Sequence, residues 1–96
     1  MSKVDEKKVG RIFKVLSKPT NIRILCALSG NNKCVTNLKL ELDLKQANLS
    51  QHLNILRDLD VLDCTKNGNK SSYYIADKRY IKLLQETLKI FKEEFK

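Results

Sequence analysis

Residues 46–52 read Gln-Ala-Asn-Leu-Ser-Gln-His, and leucines recur at Leu49, Leu53, Leu56 and Leu59. Helical spacing of those leucines makes one apolar stripe. It leaves Gln46, Asn48, Ser50, Gln51 and His52 to project elsewhere. An amide side chain donates and accepts at once, which suits the paired donor and acceptor on the major-groove edge of adenine. These five residues are therefore candidates for contact at or near bases. The plainer alternative is a solvated polar helix face, and what weighs against it is the segment that follows. Lys66, Asn69 and Lys70 flank a predicted tight turn, while Lys45 and Arg57 bracket the helix. All five are candidate ligands for phosphates or the minor-groove edge, contacts that orient a protein without reading sequence. For the lysines the alternative is solubility, and for Arg57 it is a carboxylate partner. His52 is the sole histidine, and no nucleophile and base assemble around it, so an enzyme active site is not expected.

Cys26, Cys34 and Cys64 are odd in number and widely spaced, which argues against a disulfide framework within one chain and for reduced thiols. Cys34 lies beside Lys33, where a thiolate would be stabilised. Cys26 fits either a small apolar core position or a sensing thiol. Cys64 falls on an alternating strand and reads as inert. No resident cofactor is expected, and the identity of any metal is left open.

The elements that must hold these residues follow from periodicity. Val9, Ile12, Phe13 and Leu16 form one stripe of a helix within residues 4–16. Pro19, well placed in a first helical turn, starts a second helix over about 19–28, with Gly30 as its stop. In "CVTNLKLELDL" Leu38, Leu40, Leu42 and Leu44 alternate as in a strand, and periodicity alone predicts one there. A helix follows at 46–59. Residues 62–75 alternate around Asn67-Gly68, which predicts a two-residue hairpin with positive φ at both central positions. Ile81, Leu84, Leu88, Phe91 and Phe95 place a last helix over 77–95, with Asp77 as N-cap.

The 96 residues make a single domain, 1–96, with a modest core. A formal charge of +8, from 19 Lys and Arg against 11 Asp and Glu, points to a polyanionic partner. With no Trp and few aromatics, nucleic acid is favoured over a membrane surface. No run approaches the roughly 18 apolar residues of a membrane span, and the start lacks a secretion signal, so a cytoplasmic location is expected. A short helix, a tight turn, a polar-faced helix and a basic hairpin together match a winged helix-turn-helix. In that arrangement the alternating leucine segment becomes helix 3. The predicted fold class is mainly α with a small β-hairpin wing, in the order α-α-α-α-β-β-α.

From about Ile12 to Ile75 the chain resembles the ArsR/SmtB family of bacterial winged-helix repressors. "LSKPTNIRIL" is similar to the family's Leu-Ser-x-Pro-x-Arg-x-x-Ile-Leu, "LSQHLNILRDLDVL" to its Ser-x-His-Leu-x-x-Leu recognition helix, and "KNGNKSSYYI" to its wing. Asn21 stands where the family usually has Arg, and Asp60 where it has Gly, a position Asp tolerates because it accepts left-handed backbone. The resemblance implies a homodimer through helices 1 and 5 that places its recognition helices in successive grooves of double-stranded DNA, at an imperfect inverted repeat. A long last helix with a Leu and Phe stripe independently carries more apolar surface than one small chain covers. The family's metal box is reduced to Cys34, with Thr36 and Asn37 at its other ligand positions, and "DKRYIKLLQETLKIFKEEFK" lacks the histidine of its helix 5 site. A zinc sensor is not expected. Cys26 resembles the helix 2 cysteine of the redox- and persulfide-responsive branch, whose helix 5 partner is missing; Cys34 or Cys64 would have to replace it. The expectation is a repressor released by a thiol-directed signal (redox, persulfide or soft metal) or lacking an inducer, with a protein-binding winged helix as the alternative.

Overall fold

A computed structural model describes residues 3–92 of the chain. Its elements run α1 (Glu6–Leu16), α2 (Pro19–Leu28), β1 (Lys33–Cys34), α3 (Val35–Leu42), α4 (Gln46–Asp58), β2 (Leu62–Asn67), β3 (Lys70–Ile75) and α5 (Arg79–Ile90). The stripe residue Phe95 lies outside the described residues.

Asp5 caps α1, its carboxylate accepting from the backbone N–H of Lys8 at 3.1 Å. In α2 Pro19 occupies the first turn, where its missing N–H costs no helical bond. Gly30 is not a left-handed stop: α2 ends at Ser29 in right-handed backbone, and Gly68 is the only glycine of positive φ among the described residues. The leucine segment is helix α3, as the winged helix-turn-helix arrangement requires, and not the strand that periodicity alone predicts. Leu38 and Leu42, one turn apart, are buried, whereas Leu40 between them is 74% exposed. Alternation had grouped Leu40 with its neighbours; a helix rotates it about 200° away.

Two aspartates take the left-handed backbone that the turns after α3 and α4 require: Asp43 at φ 52° and Asp60 at φ 60°. Arg23 donates from Nη2 to the carbonyl of Leu42 at 2.6 Å, satisfying an orphaned carbonyl at the end of α3 and tying α2 to that turn.

The sheet has three antiparallel strands in the order β1-β3-β2, so the hairpin gains a short third strand that periodicity did not indicate. Asn67 pairs with Lys70, which makes Gly68 and Asn69 the central turn residues. Only Gly68 has positive φ there, at 66°. That is the φ pattern of a type II′ turn rather than the predicted type I′.

Ile24, Leu25 and Leu28 of α2, Leu38 and Leu42 of α3, and Leu49, Leu53 and Leu56 of α4 pack with Val15, Val61, Leu62, Tyr73 and Ile75. From α1 this core takes Val15, with Leu16 of the predicted stripe half-buried against it and Ile12 half-buried, whereas Phe13 is 58% exposed and Val9 is also exposed. Helix α5 contributes no fully buried residue; Tyr80, Ile81 and Leu84 are half-buried against the core, while Leu88, Ile90 and Phe91 are exposed.

Candidate nucleic-acid interface

Helix α4 is oriented by what it buries. Leu49, Leu53 and Leu56 all lie at 0% exposure, so the opposite surface of the helix must face away from the core. Asn48, Gln51 and Asn54 are exposed there, with Ile55 at 47% exposure among them; Gln46 is exposed in the first turn on the leucine side of the helix, and Ser50 is half-buried. No side chain caps α4, whose N-cap Lys45 is extended and exposed. Its first-turn N–H groups and the positive end of its dipole can therefore receive a phosphate oxygen.

His52 sits differently from the others. It is half-buried, and its Nδ1 lies 3.0 Å from Oδ1 of Asn21, the single buried polar residue among those described. Only the Nε2 edge of the ring remains available to a ligand. Sequence reasoning missed this role for Asn21, since the two residues are 31 positions apart.

The wing stands beside α4. Lys66, Asn69 and Lys70 are all exposed at its tip. Arg57 in the last turn of α4 places Nε 3.5 Å from Oδ1 of Asp63 on β2, an exposed pair that links helix to wing. Such a pair in water is weak, so it leaves the guanidinium able to exchange Asp63 for a phosphate. Burial pushes the Tyr73 hydroxyl above its ordinary range, Cys64 adds to this, and Arg57 opposes it. Tyr73 therefore stays neutral at the base of the wing and puts no negative charge there.

Cys34 and Cys64 do not come together. In the sheet Cys34 lies opposite Ser72, while Cys64 lies opposite Tyr73 one row along. Adjacent rows point to opposite faces, and the two strands are separated by β3, roughly 10 Å apart. That exceeds the ~7 Å Cα limit for a disulfide, so Cys34 and Cys64 of one chain cannot bridge. Cys26 is exposed on the outer side of α2, which excludes the reading of it as a core residue. Among the described residues no three His, Cys, Asp or Glu side chains cluster to hold a metal ion.

A polar-faced helix after a short helix and a tight turn, flanked by a basic antiparallel hairpin, defines a winged helix-turn-helix DNA-binding protein. Residues 18–63 match the model of the bacterial regulatory proteins of the arsR family. The chain is 39% identical over 83 residues to an uncharacterized HTH-type transcriptional regulator of Methanocaldococcus jannaschii, covering 82% of this chain and 93% of that one. It is 32% identical over 95 residues to the cadmium resistance transcriptional regulatory protein CadC of Listeria innocua, covering 98% and 79% of the two. Its fold superimposes on the crystal structure of the antimony-specific transcriptional repressor AntR with a TM-score of 0.84 at 31% identity, covering 94% of this chain and 82% of that one. The chain belongs to the arsR family and is a DNA-binding transcriptional regulator, not an enzyme. No described helix is long and apolar enough to cross a membrane.

Proposed function

We propose that this regulator is a cytoplasmic homodimeric repressor that occupies an imperfect inverted repeat overlapping a promoter. Helices α1 and α5 of two copies pack together, and the two α4 helices enter successive major grooves. Gln46, Asn48, Ser50 and Gln51 meet bases or their immediate surroundings, with His52 at the edge of that set. Lys45, Arg57, Lys66, Asn69 and Lys70 hold the backbone. The observation that carries this reading is a division of surfaces. The outer face of α4 and the wing are polar or basic apart from the half-exposed Ile55, whereas Val9 and Phe13 of α1, Leu88 of α5 and its C-cap Phe91 are apolar and uncovered. A two-fold interface brings the same patch of both copies together and hides it.

Release follows a thiol-directed signal at Cys26 or Cys34, and a Cys34 to Cys64 bridge within one chain takes no part in it, being sterically barred. The reading is supported by the exposure of Cys26 and the partial exposure of Cys34.

The test is a titration against the DNA upstream of the protein's own gene, at several salt concentrations and with reduced, oxidised, persulfide-treated and metal-loaded protein. Sequence-dependent affinity that falls steeply with salt is expected, because each neutralised phosphate releases counterions. Flat salt dependence without operator preference would favour a protein-binding winged helix instead. Four coincident curves would remove the thiol signal and leave a repressor without an inducer.

A further inference from the structure

Asn21 is 3% exposed, yet both ends of its amide are satisfied. Its Nδ2 donates to the carbonyl of Val15 at 3.0 Å. That carbonyl lies in the last turn of α1, and the residue four positions on, which would ordinarily donate to it, is Pro19, which has no N–H. The Asn21 side chain thus fills a vacancy that Pro19 creates. Because a carbonyl only accepts, the atom facing Val15 must be the NH2, and Oδ1 is left to face His52 at 3.0 Å. His52 Nδ1 must then carry a proton. Turning the amide over would oppose two carbonyl oxygens, and the other imidazole tautomer would oppose two lone pairs.

In the neutral ring the proton is therefore on Nδ1, and Nε2 is bare. No buried side-chain nitrogen or oxygen lacks a partner among the described residues, so this unpaired Nε2 is open to solvent. Two bonds of 3.0 Å join the end of α1, through α2, to the middle of α4.

We infer that Asn21 is a positioning residue for DNA recognition: by holding the Nδ1–H form of His52 it sets the rotation of α4 about its own axis relative to α1 and α2. This rests on the proposed reading of α4 as the helix that meets DNA. The buried leucines Leu49, Leu53 and Leu56 supply apolar contact, which fixes depth more than angle; a directional hydrogen bond at the edge of that contact fixes angle. A rotation of α4 would swing the Gln46, Asn48 and Gln51 side chains together across the groove.

The single histidine makes the test direct. In nitrogen-15 labelled protein, at a pH where the ring is neutral, long-range nitrogen–proton correlations should show the proton on Nδ1, and Asn21→Leu should move it to Nε2. A proton on Nε2 in the unaltered protein overturns the inference. Binding to upstream DNA supplies the second readout. Asparagine places its amide nitrogen near the position of imidazole Nδ1 and can still donate to Asn21, whereas leucine cannot. His52→Asn should therefore bind about tenfold more tightly than His52→Leu, the scale of one coupled polar pair. The double variant Asn21→Leu with His52→Leu should bind no more weakly than His52→Leu alone. Equal affinity of the Asn and Leu variants at 52, or losses that add, overturns the inference, and the comparison at 52 decides even where Asn21→Leu does not fold. Gln46→Ala is measured alongside. If it weakens binding while the position 52 variants do not differ, positioning fails and the α4 reading stands; if neither changes anything, the α4 reading itself fails.

Discussion

Replacing Phe13 by Glu isolates the proposed dimer contact, because Phe13 is 58% exposed and its loss removes little from the core of one chain. A phenylalanine side chain buries ~150–250 Å², so covering the exposed part would remove roughly 100 Å² from water in each copy. At ~25 cal/mol per Å² that is about 2.5 kcal/mol per copy, and about 5 kcal/mol when a two-fold axis counts it twice. Ordering side chains on association offsets part of this, so the expected weakening of dimerisation is about a thousandfold, below the roughly four-thousandfold that 5 kcal/mol would give. Sedimentation equilibrium over a wide concentration range measures it, with circular dichroism checking that the helices persist. Leu40→Glu is the control: Leu40 is 74% exposed, but it lies on α3, away from the proposed interface. Exposed hydrophobicity in general predicts that Leu40→Glu weakens association as much as Phe13→Glu. The proposed interface predicts that Leu40→Glu leaves it unchanged. An unaltered dimer constant for Phe13→Glu would refute the assignment of α1.

Three further outcomes follow from the same geometry. Lys70→Ala should weaken binding to all duplexes alike and lower the salt slope by about one, as expected for a phosphate contact, measured by fluorescence anisotropy. Gln46→Ala should cost ~1–3 kcal/mol on the preferred operator and less on others, so a selection from random duplexes should lose preference at one position of each half-site. The Arg79 guanidinium donates from Nε and Nη2 to the Asp77 carboxylate at 2.9 and 2.7 Å and holds its pKa below the ordinary carboxylate range. A depressed native value means that the contribution is present at neutral pH and is lost as pH falls through that native value; Asp77→Asn should therefore narrow its stability gap to the parent protein in acid, followed by thermal unfolding from pH 7 down to about pH 2.

Where one face of an element is apolar and the other polar, the sequence was legible. Of the stripe that defines α4, Leu49, Leu53 and Leu56 are buried, while Leu59 falls at the C-cap and is 46% exposed. The first helix was harder because α1 has two apolar stripes. Val15 enters the core of its own chain, while Val9 and Phe13 do not. Hydrophobicity cannot distinguish a core stripe from one left for a partner, since both are apolar. Helix α3 misled for a related reason: a single exposed Leu40 completed an alternation that the backbone does not follow. In the hairpin the Asn67-Gly68 pair located the turn but not its centre, because shifting it by one residue still gives Gly68 its positive φ. Asp77 was predicted as the N-cap of α5; the cap residue is Lys78, yet Asp77 Oδ1 still accepts from the backbone N–H of Arg79 at 3.1 Å. Asn21 was visible only as a departure from a family pattern, since its role depends on a carbonyl six residues away and an imidazole on another helix.

These differences bear on how the regulator would work. Helix α5 has no fully buried residue, and its second half extends Leu88, Ile90 and Phe91 into water. A helix of 12 residues is marginal in isolation, so most of its stability must come from packing. In the proposed dimer much of that packing comes from the second copy, which couples the order of α5 to association. The same is true of the outer stripe of α1, whose last turn is joined through Asn21 and His52 to α4. Dimerisation would then do more than double the number of contacts to DNA: it would hold the end of α1 from which the angle of α4 is set. A signal that loosens α1 against its partner would reach the reading helix through two hydrogen bonds, without any effector touching α4. A ligand can shift such an equilibrium only by as much as it favours one arrangement over the other. A thiol modification on α2, the helix that carries Asn21, is placed to make that difference.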